Sequence, residues 1–239
     1  MKPMRYMEIE MKRAVFSDFD GTLSDGYIAM EFLEFLHIKN LYSNNCYHTQ
    51  MQLIEDFKNN QITYGDWICR WAEVWADGMK DQKADIIEKN AKEFYATFRK
   101  NIYKSSFDVM DEFGKKGFHK VIVSVGSYEV IVLAAAELGA DYVFATRCEM
   151  IDGIYTGRLA SDLHLMTGKA DCIKRYAIDN DISLENSAAM GDSIHDASML
   201  ELVGFPVALN PSEELMSLAK KKGYAIRTYS NILEEIKKM

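Results

Sequence analysis

The chain has 239 residues, of which 48% are hydrophobic and 27% are charged, a composition typical of a folded globular protein. Its formal net charge of -8 argues against a surface built to neutralise nucleic-acid phosphates. No apolar run reaches the roughly 18 to 20 residues that span a bilayer, and the N-terminal sequence MKPMRYMEIEMKR is too polar for a signal peptide. The four cysteines form no CxxC pair. We therefore expect a cytoplasmic protein with reduced thiols and no nucleic-acid or membrane partner.

The first predicted strand, AVF at residues 14–16, is followed by Asp18 and Asp20. Residues i and i+2 of an extended chain share a face, so both carboxylates are expected to point the same way. Two carboxylates about 4 Å apart repel by roughly 1 to 4 kcal/mol unless a cation or a proton intervenes. A turn or a helix N-cap is the alternative interpretation of this DxD pattern.

Residues 25–103 are predicted as helices with hardly a strand among them, which indicates an inserted all-helical domain. Its clearest helices are YIAMEFLEFLHI, TYGDWICRWAEVWADG and DQKADIIEKNAKEFYATFRKN. Trp67, Trp71 and Trp75 recur every four residues in the second of these helices. Such a stripe favours a packed helix face over a substrate platform.

From residue 104 onward predicted helices and strands alternate, and Asp152 with Gly153 predicts a β-hairpin over residues 148–158. The predicted elements are helix SSFDVMDEFGKKG, strand KVIVS, helix SYEVIVLAAAELG, strand DYVFA, the hairpin, helix GKADCIKRYAIDN, strand NSAAM, helix SIHDASMLELVG, strand PVALN, helix PSEELMSLAKKKG and strand YAIRT. This order predicts an α/β fold whose core is a mostly parallel, doubly wound, Rossmann-like sheet. We assign residues 1–24 and 104–239 to that core.

The helix PSEELMSLAKKKG carries clear boundary signals. Asn210 is predicted as its N-cap, Pro211 as its first helical residue, and Gly223 as the residue that ends it.

A second acidic pair follows the strand NSAAM: Asp192, and Asp196 one helical turn later. In a parallel sheet the carboxyl ends of neighbouring strands meet at one edge, where ligands bind. Carboxylate and carbonyl oxygens at such an edge suit Mg²⁺, and Mn²⁺ is also possible. The alternative is that Asp192 or Asp196 only caps the helix that follows.

Two further segments contain candidate residues for binding an anion. Ser124 ends a strand and stands with Gly126 before a helix, where a hydroxyl and free N–H groups can bind a phosphate, although a simple N-cap is the alternative. Lys169 lies in the first turn of a helix, where a positive charge is unfavourable beside the helix macrodipole. A lysine at this position is therefore expected to reach an anion, and a solvated lysine is the alternative. The segment is not a P-loop, because Leu163 and Ala170 occupy positions that need glycine and Ser or Thr.

The strand ends therefore supply DxDGT, a serine, a lysine and GDxxxD, in this order, over residues 18–196. With this set the sequence resembles the haloacid dehalogenase-like hydrolase superfamily. Within it the chain is similar to the phosphoserine-phosphatase-like branch (subfamily IB), whose helical C1-type cap is inserted after the first motif, here at 25–103. The resemblance implies a Mg²⁺-dependent phosphatase that hydrolyses a small phosphomonoester through an aspartyl-phosphate intermediate.

The resemblance also implies residue roles. Asp18 would be the nucleophile and Asp20 the general acid and base. The Asp18 carboxylate, the Asp20 backbone carbonyl and Asp192 would hold the metal. Lys169 would be catalytic by binding the transferring phosphoryl group, and Asp196 would position Lys169 or the metal shell.

Phosphate binding is assigned to Ser124, Gly21, Thr22 and Gly126. Ser124 would donate to a phosphoryl oxygen, Gly21 would let the backbone approach the phosphate, and Thr22 would shape that turn. Aromatic and acidic residues of the cap fit a small organic phosphate as substrate. Examples are Glu31, Glu34, Trp67, Glu73 and Trp75.

Three residues depart from the pattern of the branch. Tyr27 stands where phosphoserine phosphatases have a glutamate that reads the substrate amine, which places phosphoserine in doubt. Val125 is bulky where a small residue is usual. His195 replaces an asparagine, and we expect it to be a solvated helix residue rather than a contact of the metal shell.

Three alternative functions stay open. A phosphotransferase would use the same aspartyl-phosphate chemistry with another acceptor, and the sequence does not separate the two. A phospho-accepting signalling domain also combines Asp, Ser or Thr, and Lys at a sheet edge, but it needs neither the helical insertion nor the Asp20 acid. A catalytically silent binding module is disfavoured by the complete motif set. The sequence does not define the oligomeric state.

Overall fold

The computed structural model describes residues 11–238. The first ten residues, which the predicted division assigns to the core, and Met239 lie outside the described residues. The strands are β1 (Arg13–Ser17), β2 (Phe118–Ser127), β3 (Tyr142–Thr146), β4 (Cys148–Ile151), β5 (Ile154–Leu159), β6 (Ala188–Gly191), β7 (Phe205–Leu209) and β8 (Ala225–Arg227). The helices are α1 (Ile28–Ile38), α2 (Asn44–Lys58), α3 (Tyr64–Gly78), α4 (Ala84–Phe98), α5 (Lys104–Lys115), α6 (Tyr128–Glu137), α7 (Gly168–Asp179), α8 (Ala197–Leu200), α9 (Glu213–Lys222) and α10 (Ile232–Lys238).

Six strands form one parallel sheet in the order β3-β2-β1-β6-β7-β8. β1 lies in the middle, with Ser17 opposite Ile122 of β2 and Met190 of β6. The chain passes from β1 to β2 and β3 on one side and returns to β6 on the other. The strand order therefore reverses at β1, and ligands of open parallel sheets bind beyond the carboxyl ends at such a point. The predicted doubly wound α/β fold is confirmed.

Alternate residues along the strands pack against two different layers of helices. Val15 and Ile122 belong to one core cluster, whereas Ala14, Phe16 and Val121 belong to the other. Because β1 is buried on both faces, its residues 14–16 form a continuous apolar run rather than an alternating pattern.

The helices α1 to α4 separate β1 from α5 in the chain, and we keep residues 25–103 as the proposed cap. The tryptophan stripe of α3 is buried, with Trp67 and Trp71 each 7% exposed and Trp75 2% exposed. Trp75 packs against Phe32 and Tyr42, at ring-centroid distances of 5.9 and 5.5 Å. The expectation of a packed face is therefore confirmed, although Trp67 and Trp71 also line a cavity described below.

The predicted hairpin is confirmed as β4 paired antiparallel with β5. Asp152 and Gly153 have φ angles of 51° and 75°, and such positive values are what a two-residue hairpin turn of the primed type requires. Tyr155 of β5 exchanges two backbone hydrogen bonds with the connection between α3 and α4. Its N–H donates to Gln82 at 3.0 Å, and its carbonyl accepts from Asp81 at 2.9 Å. The hairpin thus fixes one end of the proposed cap to the core.

The predicted start of α9 is wrong by two residues. Ser212 is the N-cap, and its side chain accepts a hydrogen bond from the Leu215 N–H. Asn210 has a φ of 44°, whereas an N-cap residue has extended backbone, and Pro211 consequently precedes the cap. Gly223 ends the helix with a φ of 75°, as predicted.

The helix predicted over SIHDASMLELVG is shorter than expected. A 3-10 turn, Ile194–Asp196, precedes the single turn of α8. Ser193 and Asp196 form a capping box, in which each side chain accepts from the other residue's backbone N–H. Within residues 11–238, no helix has the length and apolar character that crossing a membrane requires.

Candidate active site

The predicted site residues meet at the carboxyl edge of the sheet. Because β1 lies in register between β2 and β6, the segments that follow these three strands begin side by side. They place Asp18, Asp20, Ser124 and Asp192 around one cavity of about 860 Å³, and α7 adds Lys169. The sequence-based expectation that the motifs converge is therefore matched by the placement of these five residues.

Lys169 is a buried cation held between two carboxylates. Its Nζ lies 2.6 Å from Asp18 Oδ1 and 2.6 Å from Asp196 Oδ1, and its side chain is 2% exposed. Burial alone would lower the pKa of Lys169, but the two carboxylates outweigh burial and raise that pKa. The lysine is therefore charged and oriented, and the solvated alternative is wrong.

Asp18 itself is 6% exposed. Burial raises the pKa of its carboxyl to about 7, Lys169 opposes that rise, and Asp196 adds to it. The carboxylate of Asp18 is thus costly to ionise without positive charge beside it.

Gly21 and Thr22 contact Asp192, and neither residue lines the cavity. The Thr22 hydroxyl donates to Asp192 Oδ1 at 3.1 Å. Gly21 has a φ of 76°, and a Cβ at this position would lie 2.4 Å from Asp192 Oδ2. Their role in phosphate binding stays a prediction, and in the structure both residues support the Asp192 carboxylate. They reach it because the turn after Asp20 folds toward β6.

Asp196 links the lysine to the second acidic segment. One of its oxygens pairs with Lys169, and the other accepts from the Asp192 N–H at 3.1 Å and the Ser193 N–H at 2.9 Å. Asp196 is fully buried and does not line the cavity. These contacts favour the predicted positioning role over a direct one.

The carboxylates fit a divalent cation. Oxygens of Asp18, Asp192 and Asp196 lie within 4.8 Å of one another. Asp196 is already engaged by Lys169 and backbone N–H groups, so Asp18 and Asp192 are the carboxylates with oxygens available to a metal. Burial raises the pKa of Asp192 to about 8, and Asp18 and Asp196 add to the rise. A hard cation such as Mg²⁺ or Mn²⁺ would relieve this repulsion.

Asp20 is half-buried, lines the same cavity and lies beside the start of α1. Its Oδ1 accepts a hydrogen bond from the Ile28 N–H at 2.9 Å. Burial raises the pKa of Asp20 to about 8, the bond from Ile28 opposes the rise, and the charge of Asp18 adds to it. A carboxyl with such a pKa carries a proton at neutral pH and can deliver it to a leaving group.

Ser124 lies at the end of the apolar part of β2 and is buried. Its Oγ accepts from the Gly126 N–H at 2.9 Å, which leaves the hydroxyl hydrogen free to donate to a ligand. The N–H of Gly126 is used in this bond, so Gly126 supports Ser124 rather than presenting a free donor.

The comparisons with known proteins agree with this geometry. A family model described as haloacid dehalogenase-like hydrolase matches residues 15–201. The chain belongs to this family. A phosphoserine phosphatase of Mycobacterium tuberculosis is 27% identical over 231 residues, which cover 94% of this chain and 73% of that protein.

Two solved structures share the fold of this hydrolase. A protein of unknown function from Bordetella pertussis Tohama I superposes with a TM-score of 0.78 at 21% identity and covers 92% of this chain and 99% of its own. A structure described as a substrate-bound phosphoserine phosphatase complex gives a TM-score of 0.67 at 21% identity and covers 95% of this chain and 97% of its own. The relatives and neighbours together confirm the predicted phosphoserine-phosphatase-like branch.

The expectation of a solvated His195 is wrong for this hydrolase. The residue is 2% exposed, and its Nε2 lies 3.1 Å from the Leu163 carbonyl oxygen. The 3-10 turn that replaces the predicted α-helix directs position 195 into the protein. Burial lowers the pKa of His195 to about 4, and the charge of Lys169 lowers it further, so the imidazole is neutral.

Burial of neutral His195 makes stability depend on pH. In the unfolded chain the imidazole binds a proton near pH 6.5, whereas in the folded hydrolase it does so only near pH 4. Its contribution is therefore present above pH 6.5 and is lost as the pH falls toward 4. Between about pH 8 and about pH 5, we expect the wild type to lose about 2 kcal/mol of unfolding free energy relative to His195→Gln. Urea unfolding at both pH values measures this, and an unchanged difference would contradict it.

Two tyrosines near the site were missed by sequence reasoning. The Tyr229 hydroxyl donates to the Gly21 carbonyl, so the connection between β8 and α10 holds the DxDGT turn. Tyr64, at the start of α3, lies 6.1 Å from His195 between ring centroids. An isolated tyrosine carries no sequence signal, and only the packing of distant segments identifies it.

Glu129 was missed in the same way. Its buried carboxylate accepts hydrogen bonds from the Ser127 hydroxyl and, at 2.7 Å, from the Tyr155 hydroxyl of the hairpin. It therefore braces the end of β2, the strand that carries Ser124. A glutamate in the first turn of a helix is a common stabilising residue, so its sequence position did not distinguish it.

Proposed function

We propose that this protein is a phosphatase that hydrolyses a small phosphomonoester through an aspartyl phosphate on Asp18. The observation that carries the proposal is that the Asp18 carboxylate lines the cavity, 2.6 Å from the Lys169 ammonium, and that the carboxyl of Asp20, whose pKa burial raises to about 8, lines the same cavity. The family and the relatives named phosphoserine phosphatase support a phosphoric monoester hydrolase.

In the first step, a carboxylate oxygen of Asp18 attacks the phosphorus, and the bond from phosphorus to the leaving oxygen breaks. Asp20 gives its proton to that oxygen, which departs as an alcohol. Lys169 balances the negative charge around the phosphoryl group, and the Ser124 hydroxyl donates to one of its oxygens.

In the second step, Asp20 is ionised and accepts a proton from a water molecule that attacks the phosphorus. The bond from phosphorus to Asp18 breaks, inorganic phosphate leaves, and both carboxyl groups return to their starting states. The Asp18 carboxylate, the Asp20 backbone carbonyl and Asp192 would hold the metal. When bound, Mg²⁺ supplies positive charge that offsets the carboxylates and the phosphate dianion.

Metal removal is expected to lower turnover strongly, because the acidic cluster then repels a phosphate dianion. The measurement is phosphate release from a panel of small phosphate esters after dialysis against a chelator, followed by separate additions of Mg²⁺ and Mn²⁺. We expect a loss of at least about 10²-fold that either ion reverses. Full turnover in the chelator would contradict the proposal.

Asp20→Asn is expected to separate the two steps. An aryl phosphate such as 4-nitrophenyl phosphate has a leaving group that needs little proton donation, whereas an alkyl phosphate needs a full proton. The variant should therefore release about one equivalent of nitrophenol per enzyme in a burst and then stall, because no base activates water. Rapid-quench kinetics measures the burst. Equal loss of the first step with both kinds of ester would contradict the role of Asp20 as an acid.

A further inference from the structure

The cavity above Asp18 is far larger than a phosphate group needs. Its volume of about 860 Å³ is in the range of cavities that enclose ligands of drug size. Helices α1, α2 and α3 contribute much of its lining. Its apolar wall includes Met30, Ile54, Phe57, Trp67, Ile68 and Trp71. The leaving group of the substrate would lie against this wall.

The aromatic rings of the wall pack against one another. Phe57 and Trp67 stack with ring centroids 4.8 Å apart and planes 7° from parallel, and Trp71 meets Trp67 edge-on at 5.9 Å. Both tryptophans are buried in the described structure. A wall that is already ordered binds apolar surface without the entropic cost of fixing side chains on binding.

The wall offers little to a charged leaving group. In residues 11–238 the cations that line the cavity are Lys58 and Lys169, and no arginine does so. Lys169 is held by Asp18 and Asp196, and Lys58 is exposed and pairs with Glu55 at 3.2 Å. No fixed cation is therefore placed to bind a substrate carboxylate.

The carboxylates that line the cavity outside the acidic cluster are also unsuited to binding a charged leaving group. Asp66 and Glu214 line the cavity but are exposed to solvent, and Asp66 accepts a hydrogen bond from Thr63 at 2.7 Å. An amino-acid leaving group that packed against Phe57, Trp67 and Trp71 would thus bring an ammonium and a carboxylate against apolar side chains. Burying unpaired charges in this way is strongly unfavourable.

We propose that the substrate of this site is the phosphomonoester of an uncharged, largely apolar alcohol, with a hydrocarbon or aromatic body that packs against Phe57, Trp67 and Trp71. This inference rests on the proposed function. The body excludes water from the wall, while Asp18, Lys169 and Ser124 bind the phosphoryl group.

The test compares phosphate esters of graded leaving groups with Mg²⁺ present. The series is methyl, butyl and hexyl phosphate, with benzyl phosphate as the aromatic arm and phosphoserine as the charged one. We expect kcat/KM to rise about fourfold for each methylene buried, and benzyl phosphate to exceed phosphoserine at least about tenfold. A flat alkyl series, or phosphoserine as the best substrate, overturns the inference.

The outcomes also separate this inference from the proposed function. Turnover that depends on Asp18 but shows no apolar preference overturns only the substrate class. If none of the esters is hydrolysed, the proposed phosphatase is wrong and the substrate class fails with it.

A matched pair of variants tests the wall itself. Trp71→Leu and Trp75→Leu make the same change on one helix face, but only Trp71 lines the cavity. We expect Trp71→Leu to lower the benzyl-to-methyl ratio of kcat/KM at least about fivefold and Trp75→Leu to leave that ratio unchanged. Since the readout is a ratio, partial unfolding cancels from it. An equal ratio in both variants and the wild type contradicts the inference.

Discussion

Asp18→Asn is expected to lower phosphate release by at least about 10⁴-fold, because the amide is not a competent nucleophile and cannot accept the phosphoryl group. The substitution keeps the size of the side chain and an oxygen that can accept from Lys169, so the fold should persist. Initial rates with benzyl phosphate and Mg²⁺ measure the effect. At saturating Mg²⁺ the loss should be in kcat, because Asp20, Lys169 and the lining of the cavity are unchanged.

The control for this variant is Asp25→Asn, which makes the same change at an exposed position of the same connection. That protein should retain nearly all activity. If Asp18→Asn turned over substrate at a rate within about tenfold of the control, a direct attack of water on the phosphate ester would replace the covalent route.

Lys169→Met is expected to damage both activity and stability. Methionine fills a similar volume but leaves Asp18 and Asp196 buried without the cation that lies 2.6 Å from each. Breaking such a buried pair costs about 3 to 5 kcal/mol. The rate should also fall at least about 10²- to 10³-fold, because the charge that stabilises the transferring phosphoryl group is lost.

The loss of stability in Lys169→Met should depend on pH. Without the lysine, nothing opposes the effect of burial on the pKa of Asp18, so its carboxyl is neutral and tolerated at low pH and becomes costly to ionise as the pH rises. Urea unfolding at about pH 5 and about pH 8 should therefore show the larger deficit at the higher value. The double variant Lys169→Met with Asp196→Asn should regain part of it. A deficit that is equal at both pH values would show that lost packing, not charge, is responsible.

Most of the core could be predicted from the sequence because each strand end carries its own chemistry. A continuous apolar run followed by DxD, and a second one followed by GDxxxD, fixes two parallel strands whose carboxyl ends meet. Asp18 and Asp192 then need no long-range information to be placed at one edge. The hairpin at Asp152 and Gly153 is similarly local, because both residues must adopt positive φ.

Long-range packing accounts for what the sequence did not predict. His195 is buried because the segment after Asp192 starts as a 3-10 turn that Ser193 and Asp196 cap, and helical periodicity cannot anticipate that change. Thr22 and Gly21 support Asp192 across 170 residues, through a contact between two loops. The residues next to Gly21 and Thr22 in the sequence do not indicate such a contact.

The proposed cap shows a related limit. A stripe of Trp67, Trp71 and Trp75 identifies a buried helix face, but the sequence does not say what covers each ring. In the structure Trp75 packs on Phe32 and Tyr42, whereas Trp67 and Trp71 border the cavity. Periodicity therefore predicts burial, and the tertiary structure decides which part of the buried face binds a ligand.

The most direct test of the covalent route is the location of the phosphoryl group in Asp20→Asn. The variant is mixed with 4-nitrophenyl phosphate and Mg²⁺, quenched rapidly in acid, and analysed by intact mass and peptide mapping. We predict a mass gain of one phosphoryl group on the peptide that contains Asp18. In the double variant that carries both Asp18→Asn and Asp20→Asn, we predict no mass gain. A burst of nitrophenol without a phosphorylated enzyme, or a phosphoryl group on another residue, would contradict the assignment of Asp18 as the nucleophile.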